Sequence, residues 1–161
     1  MSVSGAGDGS SAPGPATFGF RLETAAAARE SQIVLGIDPD PARLWPDALA
    51  RTSEARAELA QALAAAHESA RGVMAADERA PELHPPALEA AAAVLAHSLA
   101  LIDAAAPACV AAKPQLACFE RLGFAGALAL EAVCEAARAA GLLVLADGKR
   151  GDVPVTASVY A

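Results

Sequence analysis

Three short apolar runs that each end in a charged residue constrain the fold of this chain most strongly. They are residues 32–38, 108–113 and 142–147, which end in Asp38, Lys113 and Asp147. Each run has the length and composition of a buried strand, and the first is predicted to be fully buried. The stretches between and after them favour helices at about 54–79, 86–105 and 126–140. Alternation of this kind implies an α/β fold with parallel strands and right-handed crossovers, so the charged ends converge on one face.

The segments outside the runs complete the predicted order. Residues 17–30 favour a first helix, whose Phe18, Phe20 and Leu22 are able to pack against a larger body. Residues 39–53 are predicted to be a loop. Gly141 is predicted to end the helix before the third strand, and a last helix begins near Val153. Leu88, Val94, Leu95, Leu99 and Ile102 recur at helical spacing and predict a core stripe on helix 86–105.

Composition excludes several functional classes. The net charge of -7 and the lack of a basic stripe argue against a nucleic-acid footprint. Residues 1–16 are Gly/Ser/Pro-rich without an apolar signal-peptide core, which predicts a disordered tail and a cytoplasmic protein. No segment is long and apolar enough to be expected to span a bilayer without a charged residue.

The cysteines and histidines predict no metal site or disulfide framework. Three cysteines are an odd number and lack CxxC spacing, so buried, reduced thiols are expected. The histidines lack metal-ligand spacing and are expected to be surface residues or satisfied helix residues. The residues in question are Cys109, Cys118, Cys134, His67, His84 and His97.

The stretch from Asp147 to Asp152 carries the strongest functional signal. Asp147 and Lys149 are two apart on a strand end and therefore share a face. Gly151 lets the chain turn, which returns Asp152 to the lysine. An acid–base–acid cluster at the carboxyl end of a buried parallel strand is typical of α/β enzyme active sites. Arg150 is expected to be an ion-pair residue rather than a catalyst.

Structural alternatives remain open for these charged residues. Asp152 suits a helix N-cap, Lys113 a strand-end lysine with its ammonium in water, and Asp38 before proline a turn. Glu120 is expected to brace a helix N-terminus or a lysine.

Four segments together resemble the orotidine 5′-phosphate decarboxylase family, in the bacterial branch with a Lys-Pro-Gln segment on the second strand. They occur in family order and the resemblance covers most of residues 17–161. The segments are Leu35-Gly36-Ile37-Asp38-Pro39; Lys113-Pro114-Gln115 with Phe119-Glu120-Arg121-Leu122-Gly123; Asp147-x-Lys149-Arg150-Gly151-Asp152; and Thr156-Ala157 with Tyr160-Ala161. The resemblance implies a (βα)8 TIM barrel, a homodimer, and catalysis without metal or cofactor.

The resemblance also implies roles for individual residues. Asp38 and Lys113 would hold ribose hydroxyls of the nucleotide substrate. Asp147, Lys149 and Asp152 would surround the pyrimidine carboxylate, with Lys113 in the same charged network and Lys149 as electrostatic partner and proton donor. Asp152 and Thr156 would reach into the partner subunit's site. Gly148, where the family usually has a small apolar residue, and Val153-Pro154, in place of Ile-Gly, depart from the pattern without removing a charge.

Length sets a further expectation. A TIM barrel typically needs about 250 residues, so residues 17–161 are expected to form the N-terminal part of a decarboxylase domain, an incomplete barrel of about three strands. The phosphate-binding glycine loop and arginine of the family are not found, and the isolated chain is expected to decarboxylate poorly or not at all. Two alternatives stay open. One is a Mg²⁺-dependent sugar-phosphate decarboxylase or aldolase of the same superfamily, and the other is a non-catalytic remnant that associates with another chain.

Overall fold

The computed structural model describes residues 17–71, 85–151, 153–158 and 160. The predicted tail at 1–16 lies outside these ranges, as does the predicted continuation of the second helix beyond residue 71. The helices are α1 (Phe18–Arg29), α2 (Pro46–Leu49), α3 (Thr52–Arg71), α4 (Pro85–Ala105), α5 (Leu116–Glu120), α6 (Gly123–Ala139) and α7 (Pro154–Ala157). The strands are β1 (Ile33–Ile37), β2 (Cys109–Pro114) and β3 (Leu143–Val144), and a 3-10 turn at Ala106–Ala108 leads into β2.

The three strands form one parallel sheet in the order β1-β2-β3. The register places Gly36 of β1 opposite Lys113 of β2, and Ala112 opposite Val144 of β3. Helices connect each strand to the next, which confirms the predicted α/β alternation with parallel strands.

The core is aliphatic and lies mainly among α3, α4, α5 and α6. Leu59, Leu95, Val133 and Phe119 are fully buried there. A separate, smaller cluster forms where α1 packs on the sheet, with Leu22, Ala25 and Ala26 against Val110, Ala111 and Leu143. The predicted stripe on α4 is confirmed, because Val94, Leu95 and Ile102 are buried and Leu88 and Leu99 pack against them.

The prediction that the first strand is fully buried is wrong. Ile33 is 58% exposed and Val34 is 40% exposed, whereas Ile37 is completely buried. Within the described sheet β1 is paired on one side only, which leaves its first residues exposed, whereas Ile37 at its carboxyl end packs in the main core. On α1, Leu22 packs as expected, but Phe18 and Phe20 remain exposed.

Two short helices were not predicted: α2 replaces part of a predicted loop, and α5 lies in a stretch with no predicted structure. α2 lies within 39–53, and α5 precedes α6, which begins three residues earlier than predicted. Helices of four or five residues are too short to show the apolar repeat from which the longer helices were predicted. Gly141 has a φ of 75°, which confirms the predicted left-handed helix end.

One apolar helix passes a test for membrane spans that tolerates a few charged residues, and it carries Glu89 and Asp103. By length and composition alone, Pro85–Ala108 is long and apolar enough to span a bilayer. Core helices pass the same test, and α4 buries Val94, Leu95 and Ile102 in the core of the described chain.

Candidate active site

Backbone hydrogen bonds align the carboxyl ends of the three strands. The amide of Gln115 donates to the carbonyl of Ile37 at 3.0 Å, and the amide of Asp147 donates to Pro114 at 3.0 Å. The amide of Leu116 in turn donates to the carbonyl of Asp147 at 3.0 Å. Pairing therefore continues past β3, and it fixes the backbone of Asp147 beside the end of β2.

Asp147 binds two ammonium groups at this edge. The Nζ of Lys113 lies 2.8 Å from Oδ2 of Asp147, and the Nζ of Lys149 donates to the same oxygen. The side chain of Asp147 is only 8% exposed, whereas those of Lys113 and Lys149 are 37% and 44% exposed. The cluster thus presents two cations to solvent above a covered anion. The contact between Lys149 and Asp147 confirms that these two side chains share a face.

The charges reinforce one another. The hydrogen bond from Lys113, followed by that from Lys149, lowers the pKa of Asp147 to about 2. The same bond to Asp147 raises the pKa of Lys113, against the effect of burial, and the charge of Asp38 raises it further. At neutral pH the site therefore holds an ionised Asp147 and a protonated Lys113.

Asp38 joins the cluster from the end of β1. Its exposed carboxylate lies close to Gly36, where a Cβ would come within 3.2 Å of Oδ2 of Asp38. Gly36 is also the register partner of Lys113. The missing side chain at Gly36 therefore leaves room for the Asp38 carboxylate at the end of β1, next to the end of β2 that carries Lys113.

The other predicted site residues lie on the segment after β3. Thr156 is buried in α7, and its hydroxyl donates to the carbonyl of Val153 at 3.0 Å. Asp152 lies outside the described residues, so its predicted return to Lys149 stays a prediction. At Gly148 a Cβ would make ordinary contacts with Arg150 and Leu116, at 3.8 and 3.9 Å, so alanine would fit here.

A second charged cluster adjoins the first and was not predicted as a unit. Glu120 at the end of α5 accepts two hydrogen bonds from the guanidinium of Arg150 and one from the phenol of Tyr160. The ion-pair role predicted for Arg150 is confirmed. The partner predicted for Glu120 is wrong, since it binds an arginine and a tyrosine rather than a lysine or a helix N-terminus. All three residues lie in the segments that resemble the decarboxylase family, which is the sequence feature that links them.

The cysteines and His97 have surroundings typical of structural residues rather than of reactive or metal-binding ones. Burial raises the pKa of Cys118 and of Cys134, and the three cysteines are free. The Nδ1 of His97 accepts a hydrogen bond from the amide of Trp45 at 3.1 Å, which makes it a satisfied helix histidine. Among the described residues, no group of three or more His, Cys, Asp and Glu side chains is placed to hold a metal ion. The side chains of His67 and His84 lie outside the described part of the chain.

Sequence comparison identifies relatives of one activity. The chain is 54% identical over 65 residues to the orotidine 5′-phosphate decarboxylase of Deinococcus radiodurans. It is 48% identical over 64 residues to that of a Nocardioides species and 49% identical over 61 residues to that of Rhodopirellula baltica. No family model matches the chain, and neither does any solved structure.

These matches cover 38–40% of this chain but only 20–24% of each relative. The chain thus matches about a quarter or less of the length of these relatives. Across 40% of its own length, the chain resembles orotidine 5′-phosphate decarboxylases.

Proposed function

We propose that this chain supplies the pyrimidine side of an orotidine 5′-phosphate decarboxylase active site, in a TIM-barrel protein of cytoplasmic UMP biosynthesis. One observation carries the proposal: the covered carboxylate of Asp147 binds the ammonium groups of both Lys113 and Lys149 at the carboxyl edge of a parallel sheet. Parallel α/β enzymes place their reactive groups at this edge. The relatives carry the name of the same activity.

The reaction needs an acid at one carbon of the pyrimidine. Breaking the bond between the ring carbon and the carboxylate releases CO2 and leaves an electron pair on that carbon. The ring offers no carbonyl placed to accept this pair, so the protein has to stabilise it electrostatically. In the proposed mechanism the ammonium of Lys149 faces the developing charge and then transfers a proton to the carbon, which completes the product.

Asp147 has two proposed functions in this step. It orients Lys149 through their hydrogen bond, and its low pKa keeps it anionic at neutral pH. An anion there also lies near the proposed position of the substrate carboxylate, so release of CO2 relieves repulsion between them. Asp152 is proposed to flank Lys149 from the other side.

Lys113 and Asp38 are proposed to bind the ribose hydroxyls. Lys113 belongs to both the ribose contact and the charged network, since its ammonium already donates to Asp147. Thr156 and Asp152 are proposed to contact the site of a second subunit in a homodimer. Enzymes lower barriers by about 8–23 kcal/mol, and a demand near the top of that range requires binding energy from the distant phosphate as well.

Lys113 supports this function over a Mg²⁺-dependent one. The sugar-phosphate enzymes of the superfamily resemble one another in having an acidic metal ligand at the end of the second strand. Here the end of β2 carries Lys113, whose raised pKa keeps an ammonium at that position. A cation there repels a divalent ion.

The test measures CO2 release from orotidine 5′-phosphate by the full protein that the gene encodes. We expect Lys149→Ala to lower kcat by about 10³-fold or more, because it removes both the cation and the proton donor. Binding of uridine 5′-phosphate should change much less. Asp103→Asn is the control, since Asp103 pairs with Arg51 at 3.2 Å and neither residue belongs to the cluster. Absence of turnover by the unaltered protein, or full activity of Lys149→Ala, contradicts the proposal.

A further inference from the structure

We propose that Glu120 is a positioning residue that fixes both ends of the segment between Arg150 and Tyr160 to the carboxyl edge of the sheet. This segment includes Thr156 and the position of Asp152. The effect on turnover rests on the proposed function, whereas the effect on the segment itself does not.

The short helix α5 fixes the backbone position of Glu120. This residue ends α5, whose first amide, that of Leu116, donates to the carbonyl of Asp147 at 3.0 Å. The neighbouring Phe119 is completely buried in the main core. The backbone of Glu120 is therefore connected to that of Asp147 through one short, well-packed helix.

The two partners of Glu120 bracket the segment in the sequence. Arg150 donates from Nε to Oε2 at 3.1 Å and from Nη2 to Oε1, which is a bidentate pair. Tyr160 donates its hydroxyl to Oε2 as well. A single carboxylate thus closes the chain from Arg150 to Tyr160 into a loop that begins directly after Lys149.

The contacts of Glu120 are better suited to orienting the segment between Arg150 and Tyr160 than to stabilising the folded chain. Arg150 is 54% exposed and Glu120 is 31% exposed, and an isolated ion pair of that exposure contributes little to folding. A planar bidentate pair fixes relative orientation more strictly than a single contact does. The phenol adds a second attachment at the far end of the loop, and α7 between them has only one turn to hold its own shape.

The experiment follows α7 by amide hydrogen exchange in the purified chain. The amides of Ala157 and Ser158 donate to Val153 and Pro154 at 2.9 and 3.0 Å, so their exchange reports opening of this turn. We expect Glu120→Gln to speed exchange in peptides covering 153–158 by about tenfold, and Tyr160→Phe by about threefold. Asp103→Asn, which removes an exposed ion pair elsewhere in the chain, should leave that exchange unchanged.

Turnover is measured with the same substitutions in the full protein that the gene encodes. We expect kcat for orotidine 5′-phosphate to fall about tenfold in Glu120→Gln, with KM changed less than about threefold, because small displacements of reacting groups slow the chemical step. Asp103→Asn should retain the unaltered kcat.

Each outcome decides one claim. Unchanged exchange in both Glu120→Gln and Tyr160→Phe overturns the positioning role. Faster exchange with unchanged kcat also overturns it as a role in the reaction. If the unaltered protein does not decarboxylate orotidine 5′-phosphate, the proposed function fails, while the exchange data still decide whether Glu120 fixes the segment.

Discussion

The ammonium of Lys113 lies 2.8 Å from the carboxylate of Asp147, and this contact joins the carboxyl ends of β2 and β3. The two residues are 34 positions apart in the chain. Their contact depends on the parallel register, in which Ala112 lies opposite Val144. Because Lys149 donates to the same oxygen, Asp147 is the centre of the cluster and not merely one member of it.

The acid stability of the chain should depend on Asp147. Its pKa of about 2 lies below the ordinary value of an aspartate, so its contribution to folding is complete above that ordinary value, at pH of about 4, and is lost as the pH falls through about 2. Asp147→Asn removes this contribution and leaves two ammonium groups together. We therefore expect the difference in unfolding free energy between the unaltered chain and Asp147→Asn to shrink as the pH falls from about 5 to about 2.

Denaturant unfolding at several pH values measures that difference. As a companion, Lys113→Met removes the largest cause of the low pKa, so the carboxyl resonance of Asp147 should titrate at a higher pH than in the unaltered chain. A stability difference that stays constant over this pH range would contradict the prediction.

Much of the site follows from local sequence because parallel strands share an edge. Lys113 and Asp147 each follow an apolar run, so an α/β alternation alone predicts that they meet. Likewise, spacing of two on a strand end predicts that Lys149 joins Asp147. These contacts require only the order of the elements.

The contacts of Glu120 could not be derived in the same way. They depend on how the backbone turns after Lys149 and on α5, a helix too short to show periodicity. The prediction that β1 is fully buried failed for another reason. An apolar run such as that around Val34 indicates a strand, but its exposure depends on which strands lie beside it, and β1 has a partner on one side only within the described sheet.

Gly126 should tolerate no side chain. A Cβ there would lie 1.9 Å from the carbonyl oxygen of Phe119, so α5 and α6 would have to separate. We expect Gly126→Ala to destabilise the chain by about 2 kcal/mol or more, since overpacking of this kind costs about 1–3 kcal/mol and backbone atoms cannot move aside cheaply. At exposed Gly19 in α1 a Cβ meets no atom within 4 Å. Gly19→Ala should therefore stabilise by about 0.5–1 kcal/mol, and equal effects of the two changes in denaturant unfolding would contradict the comparison.

Arg29 should stabilise the amino edge of the sheet. Its Nη1 donates to the carbonyls of Ala106, at 2.5 Å, and Cys109, and its Nη2 donates to Ala140 and Gly141, both at 3.1 Å. Arg29→Met keeps an apolar stem but leaves these carbonyls without the charged donor. We expect a loss of about 2–3 kcal/mol, because hydrogen bonds to charged groups contribute about 1.5–3 kcal/mol each and water replaces some of them. Exposed Arg21 on the same helix provides the control, and Arg21→Met should change the unfolding free energy by less than about 0.5 kcal/mol.

Tyr160 offers a direct optical probe of the contact with Glu120, because the chain contains one tyrosine. Partial burial raises the pKa of the phenol, and its hydrogen bond to the Glu120 carboxylate raises it further. Ionisation would place a phenolate against that carboxylate, whereas Glu120→Gln removes the negative charge and leaves Arg150 to favour the phenolate. Alkaline absorbance titration should therefore give a lower phenol pKa in Glu120→Gln than in the unaltered chain. Asp103→Asn should leave the midpoint in place. An identical midpoint in Glu120→Gln would mean that Tyr160 does not bind Glu120 in solution, and that the far end of the segment is held by some other contact.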